Sequence, residues 1–247
     1  MGLTQPPRRI LVTGANGFIG AHCVANLLSE GFHVVGTVRD DNKAKKVAKQ
    51  HFSNPALSLK IVPDVTDPYA FDIAIQGCSG VLHLAAPFGY TYTDFEKELL
   101  IPSINGARSI CSAASKTPSV QRIVITSSFA AVFDASAGPS PGRVYTEKDW
   151  SPLTYDIGKN TTATPVAYRA SKVLAEKTAW EFLEKEKPHW DLVTLCPGMV
   201  FGPLFPGTID NLKDLNTSNG IVWGLFDADN ILETKAPCMY FYDLYQI

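Results

Sequence analysis

Tyr168 and Lys172 stand four residues apart in Y-R-A-S-K, downstream of Thr126-Ser127-Ser128 and of the glycine-rich run T-G-A-N-G-F-I-G, Thr13 to Gly20. On a helix, that spacing puts phenol and ammonium on one face. A free phenol has a pKa of about 10 and gives up its proton poorly at neutral pH. A neighbouring cation favours the phenolate, and a drop of about three units corresponds to roughly 4 kcal/mol of differential stabilisation. A hydroxyl such as that of Ser128 can donate a hydrogen bond to an oxygen on which negative charge is growing. With a glycine run able to hold a dinucleotide, these groups make up a site for hydride transfer to a carbonyl. Tyr168 is the proton donor, Ser128 orients the carbonyl, and Lys172 lowers the phenol pKa and holds the nicotinamide ribose. Ser127 and Ser128 point in opposite directions at a strand end, so only one faces the cleft, and Ser128 is the favoured one. A Tyr/Lys pair at this spacing is common on helix surfaces; its order after Thr126-Ser127-Ser128 and before Cys196-Pro197-Gly198 gives it weight.

The elements that must carry these groups follow from periodicity. Short apolar, β-branched runs alternate with helical patterns, which predicts a doubly wound parallel α/β sheet of the Rossmann-like NAD(P)-binding kind. Strands are expected at Ile10–Thr13, Val34–Val38, Leu59–Val62, Val81–Leu84, Arg122–Thr126 and Leu192–Cys196. Helices are expected over Phe18–Glu30 with Gly31 as C-cap, over Asp41–Phe52, from an Asp67 N-cap and Pro68, over about Asp94–Ser115 and over about Val166–Lys187. The Gly/Pro/Ser-rich connection from Ala135 to Thr164 is expected to rim the pocket.

Gly14, Gly17 and Gly20 form G-x-x-G-x-x-G between a four-residue apolar strand and an amphipathic helix. That is the context in which a tight turn lets backbone approach a pyrophosphate at a helix N-terminus. Asn16, Phe18 and Ile19 of the same turn are further cofactor contacts. Near the end of the second strand, Arg39 carries forked donors that suit a 2′-phosphate, with Lys43 one turn on, and favours NADP(H). Asp40, one place later, is the competing carboxylate that would favour NAD(H). Asp64-Val65 would set a carboxylate near the adenine amino group, or Asp64 simply caps a turn. Ala85-Ala86-Pro87 ends the fourth strand with small residues that let backbone approach the cofactor; His83 beside them reads as a packed strand residue.

The 247 residues are 45% hydrophobic and 19% charged, which is enough for one sizeable α/β domain. A formal net charge of -2 does not suit a nucleic-acid binder, and the lysines from Lys43 to Lys49 read as the solvated face of a helix. Cys23, Cys78, Cys111, Cys196 and Cys238 are odd in number and lack metal-ligand spacing, so neither a metal site nor a disulfide framework is expected. No apolar leader or membrane-length segment is read, and a cytoplasmic protein is expected.

The segments T-G-A-N-G-F-I-G, V-R-D-D-N-K, H-L-A-A-P-F, T-S-S-F-A-A-V-F, A-Y-R-A-S-K-V-L-A-E-K, C-P-G-M-V-F-G-P and D-L-N-T-S-N occur in order from residue 10 to about 220. In them the chain resembles an extended short-chain dehydrogenase/reductase of the dihydroflavonol-reductase-like group, and is most similar to fungal NADPH-dependent aldehyde and ketone reductases of the methylglyoxal-reductase type. The resemblance implies Ser128, Tyr168 and Lys172 as the catalytic residues. It further implies Pro197, Gly198 and Val200 at the nicotinamide end, and makes Phe88, Phe129 and Phe133 pocket candidates for a small-molecule carbonyl substrate. Two divisions are expected: residues 1–200 as the NAD(P)-binding domain carrying the catalytic residues, and 201–247 as the remnant of a substrate lobe. Such proteins continue with a further sheet-edge segment and a covering lobe, whereas Ala236 to Ile247 reads as an aromatic strand begun and then diverted, so a reduced or missing C-terminal lobe is expected. Two other readings stay open. One is an NADP-binding sensor or an inactive truncated reductase. The other is a nucleotide-sugar epimerase or dehydratase; its dehydratases place acidic residues directly after the catalytic hydroxyl, where this chain has Phe129-Ala130.

Overall fold

The computed structural model describes residues 8–87, 92–138 and 141–226, with the backbone of Phe241–Asp243. The strands are β1 (Arg9–Thr13), β2 (His33–Val38), β3 (Leu57–Ile61), β4 (Gly80–His83), β5 (Arg122–Thr126) and β6 (Asp191–Leu195). They form one parallel sheet in the order β3-β2-β1-β4-β5-β6, each within two residues of its expected position. The helices are α1 (Phe18–Ser29), α2 (Asp41–Gln50), α3 (Ile101–Ser115), α4 (Tyr155–Asn160), α5 (Thr164–Glu186) and α6 (Thr217–Phe226). Because strand side chains alternate, Ile10 and Val12 of β1 join Val24, Val34, Val38 and Val47 on the side of α1 and α2. Leu11 between them joins Val81, Ile110, Ile123 and Leu192 in the opposite layer. After β1 the chain winds towards β2 and β3, and after β4 towards β5 and β6. The crevice at the carboxyl ends of β1 and β4 is therefore the topological switch point, where doubly wound sheets bind ligands.

Three local expectations change. The segment after Asp67 is a string of turns: the Asp67 carboxylate accepts the Tyr69 N–H at 2.8 Å as a cap should, but the bonds that follow are mostly of the short i→i+3 kind, such as Ala70 N–H to Asp67 O and Asp72 N–H to Tyr69 O. The third helix begins with a π-helical stretch, Glu96–Leu100, in which the Ile101 N–H reaches back to Glu96 O. Pro102 follows directly and has no N–H to give, which makes a wider first turn acceptable. The connection from Ala135 to Thr164 is also less irregular than its composition suggests, because it contains α4. Gly158 of α4 lies so close to α5 that a Cβ there would come within 2.6 Å of Ala170 Cβ, so this connection is seated on the helix bearing Tyr168 and Lys172.

Beyond β6, β7 (Met199–Phe201) pairs in parallel with β8 (Phe241–Asp243). Phe205 is held between His22 and His51, with ring centres at 5.7 and 4.9 Å, so the chain after residue 200 packs on α1 and on the end of α2. Residues 227–240 and 244–247, which include Cys238 and most of the aromatic tail, lie outside the described residues.

Candidate active site

Gly14 leaves β1 with φ +69°, where a side chain is disfavoured, and a Cβ there would meet the Ala85 backbone at 3.2 Å. The Gly17 N–H donates to Gly14 O at 2.9 Å, and a Cβ on Gly20 would fall 2.2 Å from the same oxygen. The turn therefore folds back on itself and abuts the end of β4. Gly17 is the N-cap of α1, with no capping side chain and no acidic residue in the first turn. The positive end of the helix is left to an external anion, and the residues fit a dinucleotide pyrophosphate. Asn16, Phe18 and Ile19 are partly buried around the turn.

Thr13 locks this turn to the reacting half. Its hydroxyl accepts the N–H groups of Leu84 and Ala85, both at 3.0 Å, and lies 3.0 Å from His83 Nδ1. With both lone pairs engaged, the Thr13 proton goes to Nδ1, so the proton of His83 sits on Nε2. His83 is 5% exposed. Burial, aided by the charge of Lys172, pulls its pKa down to about 4, so it is a neutral packed residue, as read from the sequence. Ala86 and Pro87 continue beyond it, partly buried.

At the end of β2, Asp40 caps α2: one carboxylate oxygen accepts the Lys43 N–H at 2.9 Å and the other lies 3.6 Å from Lys43 Nζ. That backbone bond, first among the causes, lowers the Asp40 pKa. The carboxylate that could recognise a ribose hydroxyl is thus directed into its own helix, while Arg39 stays exposed beside it. Asp64 likewise caps a turn, accepting the Thr66 N–H at 2.8 Å, which lowers its pKa. Val65 packs against the core, and its carbonyl accepts the Ser109 hydroxyl at 3.3 Å.

On α5, Lys172 Nζ lies 5.8 Å from the centre of the Tyr168 ring. Ser128 caps a short 3-10 turn, Phe129–Ala131, by accepting the Ala130 N–H at 3.1 Å, and α5 packs against that turn. An acceptor of one N–H still has its own proton to donate. Ser127 points the other way: it is 6% exposed and donates to the buried Glu176 carboxylate. The alternation expected of the two serines is therefore present. Burial lowers the Lys172 pKa to about 8, against the opposing pull of Glu176 and Cys196, so it carries its charge at neutral pH and sheds it in mild alkali. Glu176 was not singled out from the sequence. The available signal was its place on the stripe of Ala170, Val173 and Ala179, all buried on α5.

Phe129 and Phe133 stack on each other at 5.2 Å, Tyr145 meets Phe129 edge-on, and the Arg169 guanidinium lies 5.8 Å from the Phe133 ring. The Phe129 N–H donates to Pro197 O at 2.8 Å, which ties the Ser128 turn to the Pro197-Gly198 segment; Val200 is buried in β7. Phe88 lies outside the described residues.

A glycine turn at the switch point, with Tyr168 and Lys172 on the helix that packs against the turn capped by Ser128, fits a nucleotide-binding oxidoreductase class of protein. The chain belongs to the NAD dependent epimerase/dehydratase family, whose model matches residues 10–215. It is 40% identical over 241 residues to the NADPH-dependent methylglyoxal reductase of Saccharomyces cerevisiae, covering 94% of this chain and 68% of that protein. The crystal structure of the yeast methylglyoxal/isovaleraldehyde reductase complexed with NADPH matches with a TM-score of 0.86 and 36% identity, over 96% of this chain and 71% of that one. A related complex with NADPH from Candida albicans matches with a TM-score of 0.88 and 34% identity, over 97% and 72%. The likeness read from the sequence motifs is thus borne out, and the chain spans about seven tenths of each of these proteins.

Proposed function

We propose that this chain reduces an aldehyde or ketone to the alcohol with NADPH. The observation that carries the reading is the pairing on α5: an ammonium 5.8 Å from the Tyr168 ring, on the helix that packs against the turn capped by Ser128. When bound, the dinucleotide supplies the hydride. Ser128 donates a hydrogen bond to the carbonyl oxygen, Tyr168 protonates it, and the Lys172 charge stabilises the phenolate left behind. Gly14, Gly17 and Gly20, with Asn16, Phe18 and Ile19, hold the pyrophosphate. Arg39 and Lys43 take the 2′-phosphate, and Asp64 and Val65 flank the adenine. Ala85, Ala86, Pro87, Pro197, Gly198 and Val200 line the nicotinamide end. Residues 1–200 form the cofactor-binding and reacting unit, and 201–247 belong to the substrate side. Phe129 and Phe133 give the substrate side an apolar wall. That wall suits small carbonyl compounds such as the methylglyoxal and isovaleraldehyde for which the yeast relative is named. A reducing compartment such as the cytosol is favoured because Cys23, Cys78, Cys111 and Cys196 are all free thiols.

Fluorescence titration with NADPH and NADH, run beside aldehyde-dependent NADPH oxidation, tests the reading. NADPH should bind more tightly than NADH, and Arg39→Ala should cut that preference by about tenfold, as loss of a charge-assisted phosphate contact does. Tight NADPH binding by folded protein that oxidises it with no aldehyde or ketone would replace the enzyme with a sensor.

A further inference from the structure

Beside Lys172 lies a small cavity of about 20 Å³, lined by His83, Ser103, Thr126, Ser127, Lys172 and Glu176 among others. Glu176, 6% exposed, is the hub of this region. Its carboxylate accepts the Ser127 hydroxyl from the end of β5 and the Thr194 hydroxyl of β6 at 2.8 Å. The Cys196 thiol just past β6 reaches it at 3.5 Å, and the Trp180 indole N–H, one turn along α5, at 3.4 Å. Every one of these contacts is a donor, which suits an ionised carboxylate. Glu176 stands four residues after Lys172 and eight after Tyr168, so the three form one row on α5. The groups around Lys172 are Tyr168 and Glu176 on its own helix, His83 from β4 and Cys196 after β6; α3 offers the Ser103 hydroxyl, and β5 with the residue after it offers Thr126 and Ser127. Among these, Glu176 is the carboxylate, and its charge favours the ammonium of Lys172.

We infer that Glu176 is a positioning residue of the reductase site: it fastens the ends of β5 and β6 to α5, turns Ser127 inward so that Ser128 faces the cleft, and keeps Lys172 charged beside Tyr168. The inference rests on the reductase reading for its kinetic consequence but not for its electrostatic one. Removing the carboxylate charge removes the main opposition to burial of the Lys172 ammonium.

The test uses the full chain with 13Cε-labelled lysine, the Lys172 signal being assigned by its loss in Lys172→Arg. In Glu176→Gln, Lys172 should titrate at a lower pH by about one unit, and the alkaline limb of kcat should move with it. kcat should fall about tenfold or more, while NADPH affinity stays within about threefold. Glu176→Asp keeps the charge but cannot reach Ser127 and Thr194 together. It should leave the Lys172 titration near the parent's and still lower kcat, so that the contrast with Glu176→Gln separates the charge of the carboxylate from its reach. If Glu176→Gln does not fold, Glu176→Asp and Thr194→Val carry the test, each expected to lower kcat about threefold or more without moving the Lys172 titration. An unmoved Lys172 titration in folded Glu176→Gln, or parental kcat in all of these variants, overturns the inference. If the parent reduces no carbonyl while the Lys172 shift is seen, the reductase reading fails and the electrostatic role of Glu176 stands.

Discussion

On the β1–β3 side the protein prepares for its ligand with backbone. Gly14 takes a conformation that side chains avoid, Gly20 lies where a methyl group would strike Gly14 O, and α1 presents an uncapped N-terminus. On the β4–β6 side the same crevice is furnished with buried side chains: burial holds His83 neutral and brings Lys172 down to about 8, and Glu176 is enclosed between two strand ends and a helix. The first half recognises a charge by shape, and the second prepares proton transfer by controlling solvent. Damage to the two halves should therefore separate in experiment, one side losing affinity and the other losing rate.

Tyr168→Phe should give the largest effect, lowering kcat by about 10²–10⁴-fold through loss of the proton donor. NADPH affinity, read by fluorescence, should be spared, and a rate within threefold of the parent would remove Tyr168 from the chemistry. Gly20→Val should do the reverse. With a Cβ 2.2 Å from Gly14 O, the turn must open. NADPH affinity should drop at least about tenfold, and denaturant titration should show a loss of about 1–3 kcal/mol, typical of overpacking. The smallest effect is the alkaline limb. Lys172 is protonated below about 8 and neutral above it, so activity at saturating NADPH should fall as pH rises through that value, by about tenfold per further unit. The unfolded lysine keeps its proton to about 10.4, so the unfolded chain binds the extra proton in this window and the Lys172 contribution to stability rises. The decline should therefore be one of rate, with unchanged circular dichroism.

The two sides also differed in how much could be read ahead of the structure. The glycine turn and its flanking strand and helix stand where their residues place them, and Gly31 ends α1 in the left-handed conformation with φ +81°. Strand alternation indicated that only one of Ser127 and Ser128 would face the cleft, and the two side chains do take separate partners. Asp67-Pro68 carried a valid cap signal yet opened no helix, because a cap satisfies one N–H and does not select the spacing of the bonds that follow. Glu176 was overlooked because a glutamate one turn after a lysine has the signature of a solvated ion pair. Its burial depends on Thr194 and Cys196, about twenty residues further along the chain. Phe129 and Phe133 could be read as pocket lining or as packing from sequence, and in the structure their rings stack on each other.

By itself the sequence determined the parallel α/β order, the glycine turn and the spacing of Tyr168 and Lys172, since each is set by steric limits or periodicity within a short stretch of chain. Only the tertiary structure decided which ionisable groups lose water, which serine is turned inward and which carboxylate serves a cap in place of a ligand. Those outcomes are properties of the volume enclosed when distant segments meet, and no local pattern encodes the dielectric a side chain will feel.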